Sequence, residues 1–266
     1  MNLWRAKNVS LTRQAAKQAD RFAAAFEASL DVEQIALTWA NTYQPGDVVT
    51  TAEARAWANA VLVPKKGELE RILRDTYAVG AKLGRQLALA AIAQKKLRKD
   101  TATDEELNNA LNTDWKNWKP GKNPAEALVR PKQGLANILN RTSKTANFLQ
   151  QTSLDRIGTK LADALAKGLT IKQTAETLRG VLRDSKRALI VAQTEMARAM
   201  MAEQTDTYAE NGIQEVEWLA LDPCELCAEN EAAGAIPVNT EFPSGDLFPP
   251  AHPNCYCDIV PVIAGE

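Results

Sequence analysis

The four cysteines and the single histidine of this 266-residue chain all lie in one short stretch near its C-terminal end. The stretch begins with a Cys-x2-Cys pair and ends, after 24 intervening residues, with a His-x2-Cys-x-Cys string. A Cys-x2-Cys pair directs two thiolates toward one point, and a second close pair or a His-x2-Cys completes a tetrahedron around Zn²⁺. The pattern therefore predicts one metal site, whose candidate ligands are Cys224, Cys227, His252, Cys255 and Cys257.

The residues between the two halves of this cluster include four prolines and two glycines, which are typical of loop rather than regular structure. A structural zinc site, two disulfides and four free thiols are the competing chemical states. The chain opens on polar and charged sequence without the apolar core of a secretory leader. We therefore expect a reducing cytosol, where disulfides rarely persist, and structural zinc is favoured. Because five candidates compete for four places, either Cys257 or His252 is expected not to touch the metal.

Charge is distributed unevenly along the chain, although the net charge is only −1. Residues 1–198 contain all 32 lysines and arginines against 20 acidic residues, whereas residues 199–266 contain 13 acidic residues and no lysine or arginine. This division suggests separate partners for the two ends, or one end docking on the other. Since DNA binding needs cations, we expect any DNA affinity to reside in residues 1–150 and to weaken with salt. No apolar run is long enough to cross a membrane, so no membrane contact is expected.

Apolar residues recur at helical intervals over most of the chain. Helices are predicted over residues 1–43, 51–63, 68–99, 103–118, 135–150, 153–167, 171–182 and 186–210. Thr50, Thr170 and Ser185 are the predicted N-caps. Two alternating runs, 215–221 and 259–263, are predicted as strands, and their antiparallel pairing would bring both halves of the cluster together. Pro261 would confine the second strand to a sheet edge.

The predicted fold class is mainly α, with a small C-terminal α+β unit of short antiparallel strands and a zinc-stapled loop. Residues 119–134 are rich in proline and glycine and are the best candidate for a linker. We therefore expect a basic helical region over residues 1–130 and a second region, residues 131–266, that contains the Cys/His loop. The helix predicted over 68–99 ends in a basic run of Lys95, Lys96, Arg98 and Lys99. These cations either oppose the helix dipole or contact phosphate or an acidic surface.

Several strings occur in the order that one known family shows. They are Gly168-Leu169-Thr170-Ile171, the run Ala192-Gln193-Thr194-Glu195-Met196-Ala197-Arg198-Ala199, then Trp218, Asp222, the Cys-x2-Cys pair, and Pro249-Pro250-Ala251-His252-Pro253-Asn254-Cys255-x-Cys257. Over residues 150–262 the chain resembles the phage Mu F-like family of minor head, or head morphogenesis, proteins of tailed double-stranded DNA phages and prophages. It departs from the family at Gln193 and Tyr256, where arginine is usual. Residues 1–130 carry no motif that we can assign.

The resemblance implies a minor capsid protein that acts at or near the portal in head assembly, DNA packaging or DNA delivery. Such a protein would reside in the virion, inside the head near the portal, and in the host cytoplasm during assembly. Its expected partners are the portal protein and the major capsid protein. Packaged double-stranded DNA is a further candidate partner, through the basic N-terminal region. The basic run at residues 95–99 is then a candidate contact with DNA or with the portal.

The residues Thr194, Glu195 and Arg198 lie on one predicted helix, and the sequence alone leaves their role open. Glu195 and Arg198 could form an ordinary surface ion pair three residues apart. The resemblance instead makes Thr194 and Glu195 part of the seam between the long helix and the Cys/His loop. It places Arg198, Trp218 and Asp222 in the same structural motif.

A zinc-dependent hydrolase or deaminase-like effector enzyme is the alternative function. Pro223-Cys224-x2-Cys227 fits half of the zinc-deaminase signature, which also needs an upstream His-x-Glu whose glutamate moves protons. Here the single histidine lies downstream without an adjacent glutamate, and the surplus of ligands leaves no open position on the metal. We therefore expect no catalytic residues. A zinc module that reads nucleic acid is disfavoured because the C-terminal part is acidic.

Overall fold

A computed structural model describes residues 3–44, 46–97, 138–221 and 223–263. Its helices are α1 (Leu3–Ala28), α2 (Val32–Thr42), α3 (Thr51–Val61), α4 (Gly67–Leu97), α5 (Thr142–Ala166), α6 (Ile171–Leu182), α7 (Ser185–Glu210) and α8 (Glu225–Ala232). A small antiparallel sheet contains β1 (Glu215–Leu219), β2 (Ile236–Pro237) and β3 (Asp258–Val262). The predicted mainly helical fold with a short antiparallel sheet near the C-terminus is confirmed. Within the described ranges, no helix combines the length and apolarity that a membrane crossing requires.

Two of the predicted helix boundaries are wrong for local reasons. The single helix expected over residues 1–43 is two helices, because the Asp31 side chain caps α2 by accepting a hydrogen bond from the Gln34 N–H at 3.0 Å. Conversely, the helices expected over 135–150 and 153–167 run together as α5. Ser153 starts no new helix there, because its hydroxyl donates to the Leu149 carbonyl at 3.0 Å within the same helix.

The capping residues show how the other helices begin. Thr50 and Thr170 cap α3 and α6 as predicted, each in a capping box with the residue three positions later. Ser185 is instead the first residue of α7. The capping carboxylate belongs to Asp184, which accepts a hydrogen bond from the Arg187 N–H at 3.1 Å. An aspartate is at least as good an N-cap as a serine, so the helix begins one residue earlier than expected.

Contacts divide the chain into two compact units, each assembled from segments that are distant in sequence. The helical unit comprises Gln18–Leu73 and Arg141–Leu189, and the sheet unit comprises Met1–Lys17, Arg74–Asn140 and Ile190–Glu266. The predicted boundary between residues 130 and 131, the predicted helix 103–118 and the predicted linker 119–134 lie outside the described residues. These three stay predictions.

In the helical unit, α3 packs closely along α5. A Cβ atom at Gly158 would lie only 2.5 Å from the Cα of Arg55, so glycine is required for this approach. Contacts of α2 with α6 and of α5 with α6 complete the unit. Trp39 packs edge-on against Trp57, with ring centroids 5.0 Å apart. The core is formed by Val32, Ile35, Ala36, Trp39, Ala54, Ala58, Ile157, Leu161, Ala162, Ala175, Leu178 and Leu182.

In the sheet unit, α4 and α7 approach through two glycines one helical turn apart. A Cβ atom at Gly80 would lie 2.4 Å from the Met196 carbonyl oxygen, and one at Gly84 would lie 2.0 Å from that of Met200. Residues 201–208 of α7 are all buried, although the five consecutive residues from Glu203 to Thr207 are polar. The core of this unit includes Leu83, Leu87, Met196, Met200, Tyr208, Val216, Trp218, Cys227, Phe242, Cys257 and Ile259.

Candidate metal centre

The two halves of the Cys/His cluster meet at one end of the sheet. The strands run antiparallel in the order β2-β1-β3, and Leu219 at the end of β1 pairs with Asp258 at the start of β3. The chain therefore leaves β1 toward the first cysteine pair at the end where it enters β3 from Cys257. The predicted antiparallel pairing is confirmed, and β3, which contains Pro261, is an edge strand as expected.

A short helix presents the first cysteine pair. Cys224 is the residue immediately before α8, and Cys227 lies in its first turn with a buried side chain. The sequence predicted loop between the cysteine pair and the histidine, and that prediction is wrong for α8 and for the two residues of β2. The α8 sequence contains neither proline nor glycine and is rich in glutamate and alanine, which favour helix.

The ligand atoms form two overlapping groups that share Cys227. The atoms of Cys224, Cys227 and His252 lie within 4.8 Å of one another, and so do those of Cys227, Cys255 and Cys257. His252 Nε2 is 3.3 Å from both Cys224 Sγ and Cys227 Sγ, and Cys227 Sγ is 3.8 Å from Cys255 Sγ. Ligand atoms of a tetrahedral zinc site lie about 3.3–3.8 Å apart, given metal–ligand distances of about 2.0–2.3 Å. These Cys/His groups could therefore hold a metal ion.

A backbone carbonyl orients the imidazole of His252. Nδ1 donates a hydrogen bond to the Pro253 carbonyl at 2.9 Å, which leaves Nε2 facing the two sulfurs. The same hydrogen bond raises the pKa of His252. Metal-binding histidines commonly use a hydrogen bond from the other ring nitrogen to fix the tautomer. The ring is therefore held in the form that a metal ion would bind through Nε2.

The four cysteines are free thiols, and their pKa values diverge because their surroundings differ. The Cys227 N–H, at the start of α8, lowers the pKa of Cys224. Burial raises the pKa of Cys227 to about 12. A hydrogen bond between the other two thiols lowers the pKa of Cys257 to about 5 and raises that of Cys255. A bound cation would change this pattern, since a metal-coordinating thiol is deprotonated outright.

Two further N–H groups face the Cys257 sulfur. The Leu221 backbone N–H and the Trp218 indole N–H both contribute to lowering the pKa of Cys257. The indole nitrogen is buried and makes no hydrogen bond among the described residues. The indole ring packs edge-on against Phe242, with centroids 5.1 Å apart. N–H groups around a buried sulfur suit a thiolate, which is the form that binds a metal.

Asn230 of α8 holds the loop that follows it. Its side-chain oxygen accepts a hydrogen bond from the Ser244 N–H at 2.9 Å, and its nitrogen donates to the Ser244 hydroxyl, also at 2.9 Å. That hydroxyl in turn donates to the Asp246 carboxylate at 3.0 Å. Asn230 is fully buried. Sequence reasoning missed this residue, because one asparagine among polar neighbours carries no periodic signal.

Helix α7 holds the strand that leads away from the metal centre. The Gln204 side chain donates to the Ile259 carbonyl at 2.9 Å and to the Tyr208 hydroxyl at 2.8 Å. Burial raises the pKa of Tyr208, so its phenol stays neutral. These contacts fix β3, and with it Cys257, against the buried half of α7.

Glu195 is buried where α4 meets α7. Its carboxylate accepts hydrogen bonds from the Tyr77 hydroxyl at 2.7 Å and from the Arg198 guanidinium at 2.6 Å. The neighbouring Thr194 hydroxyl is buried without a hydrogen-bond partner in the described part of the chain. Sequence reasoning did not single out Tyr77. The role of the predicted motif at a seam with the Cys/His loop stays a prediction.

The structure does not describe all of the predicted site residues. Asp222, Arg98 and Lys99 lie outside the described residues. Lys95 and Lys96 fall in the last turn of α4, and only their backbone is described. Their predicted contact with DNA or with a portal therefore stays a prediction.

One segment of the chain matches a known family. Residues 155–260 match the family model described as Phage Mu protein F like protein. No curated protein and no solved structure matches the chain. The matched segment contains the whole Cys/His cluster together with Glu195 and Trp218, so the resemblance seen in the sequence is confirmed over these residues.

Proposed function

We propose that this chain, whose residues 155–260 match the Phage Mu protein F like family, is a minor head protein of a tailed double-stranded DNA phage or prophage. The family match is the observation that supports a role in head morphogenesis. We further propose that the protein acts inside the head, at or near the portal, in assembly, DNA packaging or DNA delivery. It would reside in the host cytoplasm during assembly. The portal protein and the major capsid protein are its proposed partners.

The Cys/His cluster is proposed to bind one structural zinc ion. Thiolate and imidazole are the ligands that Zn²⁺ takes in structural sites. The support comes from the spacing of Cys224, Cys227 and His252, which matches the edges of a tetrahedron. Cys255 or Cys257 would supply the fourth ligand. The ion would join α8 to the chain segment that enters β3.

A structural rather than catalytic role is proposed for this zinc. Catalytic zinc sites keep one position open for water or substrate. Here five candidate ligands form two overlapping groups that share Cys227, which is more than the three protein ligands of a catalytic zinc site. The buried Glu195 carboxylate, the acidic residue in the family motif, is already bound by Tyr77 and Arg198. No side chain is therefore assigned to catalysis.

Any DNA affinity is proposed to come from the basic N-terminal part of the chain. The absence of lysine and arginine from residues 199–266 makes the C-terminal part a poor ligand for phosphate. A full-length variant in which Lys95, Lys96, Arg98 and Lys99 are all changed to glutamine should bind duplex DNA more weakly at low salt. A variant with Lys160, Lys167, Lys172 and Lys186 all changed to glutamine is the matched control for the loss of four positive charges.

Co-assembly tests the head function directly. The chain should be expressed with the portal and major capsid proteins of the same phage or prophage, and heads should be purified at moderate salt. Mass spectrometry should find the chain in those heads at low copy number. Heads that assemble normally but contain none of the chain would refute a head function. Elemental analysis of protein purified without added metal tests the zinc, with about one ion per chain expected.

A further inference from the structure

Four large apolar side chains are exposed around the metal centre. Leu219, Leu221, Leu226 and Tyr256 have exposed fractions of 45%, 40%, 38% and 52%. We call these four residues the loop patch. Other large apolar side chains of this end of the chain, such as Trp218, Phe242 and Ile259, are buried. A group of exposed apolar residues on a folded protein marks a binding surface more often than single ones do.

The cysteines bring two members of the loop patch together. Leu226 lies between the two cysteines of the first pair, and Tyr256 lies between the last two cysteines. The sulfurs of Cys227 and Cys255, which neighbour these residues in sequence, are 3.8 Å apart. The turns of the chain that carry Leu226 and Tyr256 are therefore adjacent, although 29 residues lie between them in sequence.

The sheet adds the other two members. Leu219 pairs in register with Asp258, which is two residues beyond Tyr256. Leu221 lies two residues beyond Leu219, between the end of β1 and the first cysteine pair. The loop patch is thus assembled from three segments at the end of the sheet where the metal ligands meet.

The segments that form the loop patch contain acidic residues and no lysine or arginine. Between residues 199 and 266 there are 13 acidic residues and no lysine or arginine. Glu217, Glu225 and Glu229 are exposed near the loop patch in sequence. Such a surface repels the phosphates of DNA and the anionic headgroups of lipid. It attracts a protein surface that bears lysine or arginine.

We propose that the loop patch, with its surrounding carboxylates, is the docking surface for a basic protein surface that also presents apolar side chains, on another component of the phage head. This inference rests on the proposed head function and names the surface that serves it. The apolar side chains would supply most of the affinity, and Tyr256, the most exposed of them, is of a residue type enriched among binding hot spots. The carboxylates would speed association and make it sensitive to salt.

The metal centre explains why such a surface would be effective. A loop that is free in solution loses conformational entropy when a partner orders it. Here the neighbouring cysteines, the Asn230–Ser244 hydrogen bonds and the pairing of β1 with β3 hold the loop patch in place before binding. A bound zinc ion would add to this pre-organisation.

The test measures binding of the full-length chain to purified portal protein and to purified major capsid protein, by biolayer interferometry. The double variant Leu226→Ser/Tyr256→Ser should weaken binding to at least one of them by about tenfold or more. The control Leu37→Ser/Phe148→Ser removes two side chains of similar exposure, 42% and 70%, from the helical unit and should leave binding unchanged. Zinc content and the thermal midpoint of each variant show whether the fold is retained.

The outcomes separate the inference from the function on which it rests. Binding that is equal for the wild type and the loop-patch variant would overturn the docking surface and leave the head function standing. Loss of binding that is equal in both double variants would also overturn it. Binding by charge attraction should weaken as the salt concentration rises from about 50 to about 300 mM. Wild-type binding that is equally strong at both concentrations would show that the partner surface is not basic. If neither head protein binds the wild type, both the partners and the docking surface are refuted. Salt-dependent self-association of the chain through the loop patch, seen by sedimentation, would assign the surface to a second copy and overturn the inference.

Discussion

Replacement of Cys227 by serine should unfold the Cys/His loop, including α8, while the helices that precede the loop remain formed. Cys227 is the one side chain that belongs to both groups of candidate ligands, and its sulfur lies 3.3 Å from His252 and 3.8 Å from Cys255. Whichever of the two groups is the core of the metal site, the serine variant therefore loses a ligand. The other single cysteine variants remove a residue from only one of the two groups.

The size of the effect follows from how little else holds the loop. Among the described residues from 223 to 257, Phe242 is the single large apolar side chain that is fully buried. Burial of one such side chain stabilises by about 1.5–3 kcal/mol. A structural zinc ion contributes about 10–16 kcal/mol of apparent binding free energy, which is as large as the ~5–15 kcal/mol stability of a whole domain. Without the ion, the loop has too few buried contacts to stay folded.

Two proteases of different specificity report separately on unfolding of the loop and on unfolding of residues 1–198. Because residues 199–266 contain no lysine or arginine, trypsin can cut only within residues 1–198. A protease that cleaves after glutamate can cut the loop at Glu225, Glu229, Glu231 and Glu241. The Cys227→Ser variant should gain rapid cleavage after these glutamates and keep the tryptic pattern of the wild type. Treatment of the wild type with a zinc chelator should reproduce the same change.

A matched control is Thr240→Ala, which alters an exposed loop residue without touching a candidate ligand. Glutamate cleavage in Cys227→Ser at the wild-type rate would show that the cluster does not hold the loop together. New tryptic sites throughout residues 1–198 would show instead that the loop and the helices unfold as one. Either result would refute the reasoning.

Three further substitutions test the packing around the site, with urea denaturation as the measurement. Gly84→Ala would place a Cβ 2.0 Å from a backbone carbonyl of α7 and should destabilise by about 1–3 kcal/mol, whereas the control Gly180→Ala, with open space around it, should stabilise by about 0.5–1 kcal/mol. Equal effects would mean that α4 and α7 do not pack so closely. Tyr77→Phe removes a hydrogen-bond donor from the buried Glu195 carboxylate and should lower the free energy of unfolding by about 1.5–3 kcal/mol. An unchanged free energy of unfolding would mean that this carboxylate is exposed to solvent. Asn230→Ala removes both hydrogen bonds to Ser244 and should lower the free energy of unfolding by about 1–3 kcal/mol. It should also speed cleavage of the loop after glutamate, and an unchanged cleavage rate would show that Asn230 does not hold the loop.

Much of the fold and of the candidate metal site can be predicted from the sequence, because the patterns that indicate them involve residues close together in the chain. The spacing of Cys224 and Cys227, and of the His-x2-Cys string, marks a metal site without reference to the fold, because chelation needs few residues close in sequence. Helix periodicity and the capping residues Thr50 and Thr170 locate most helices for the same reason. Two runs of alternating polar and apolar residues flank the cluster, and they predict the antiparallel strand pairing that brings its two halves together.

Tertiary structure decided what depends on residues distant in sequence. The burial of Glu195 and its hydrogen bond to Tyr77 span 118 positions, so no sequence pattern contains them. The same holds for Gly84, whose need to be glycine comes from a carbonyl on another helix. Exposure was also undetermined by sequence, because an apolar residue such as Tyr256 reads alike whether buried or exposed. Only the meeting of three separate segments at the end of the sheet places it, with Leu219, Leu221 and Leu226, on a surface.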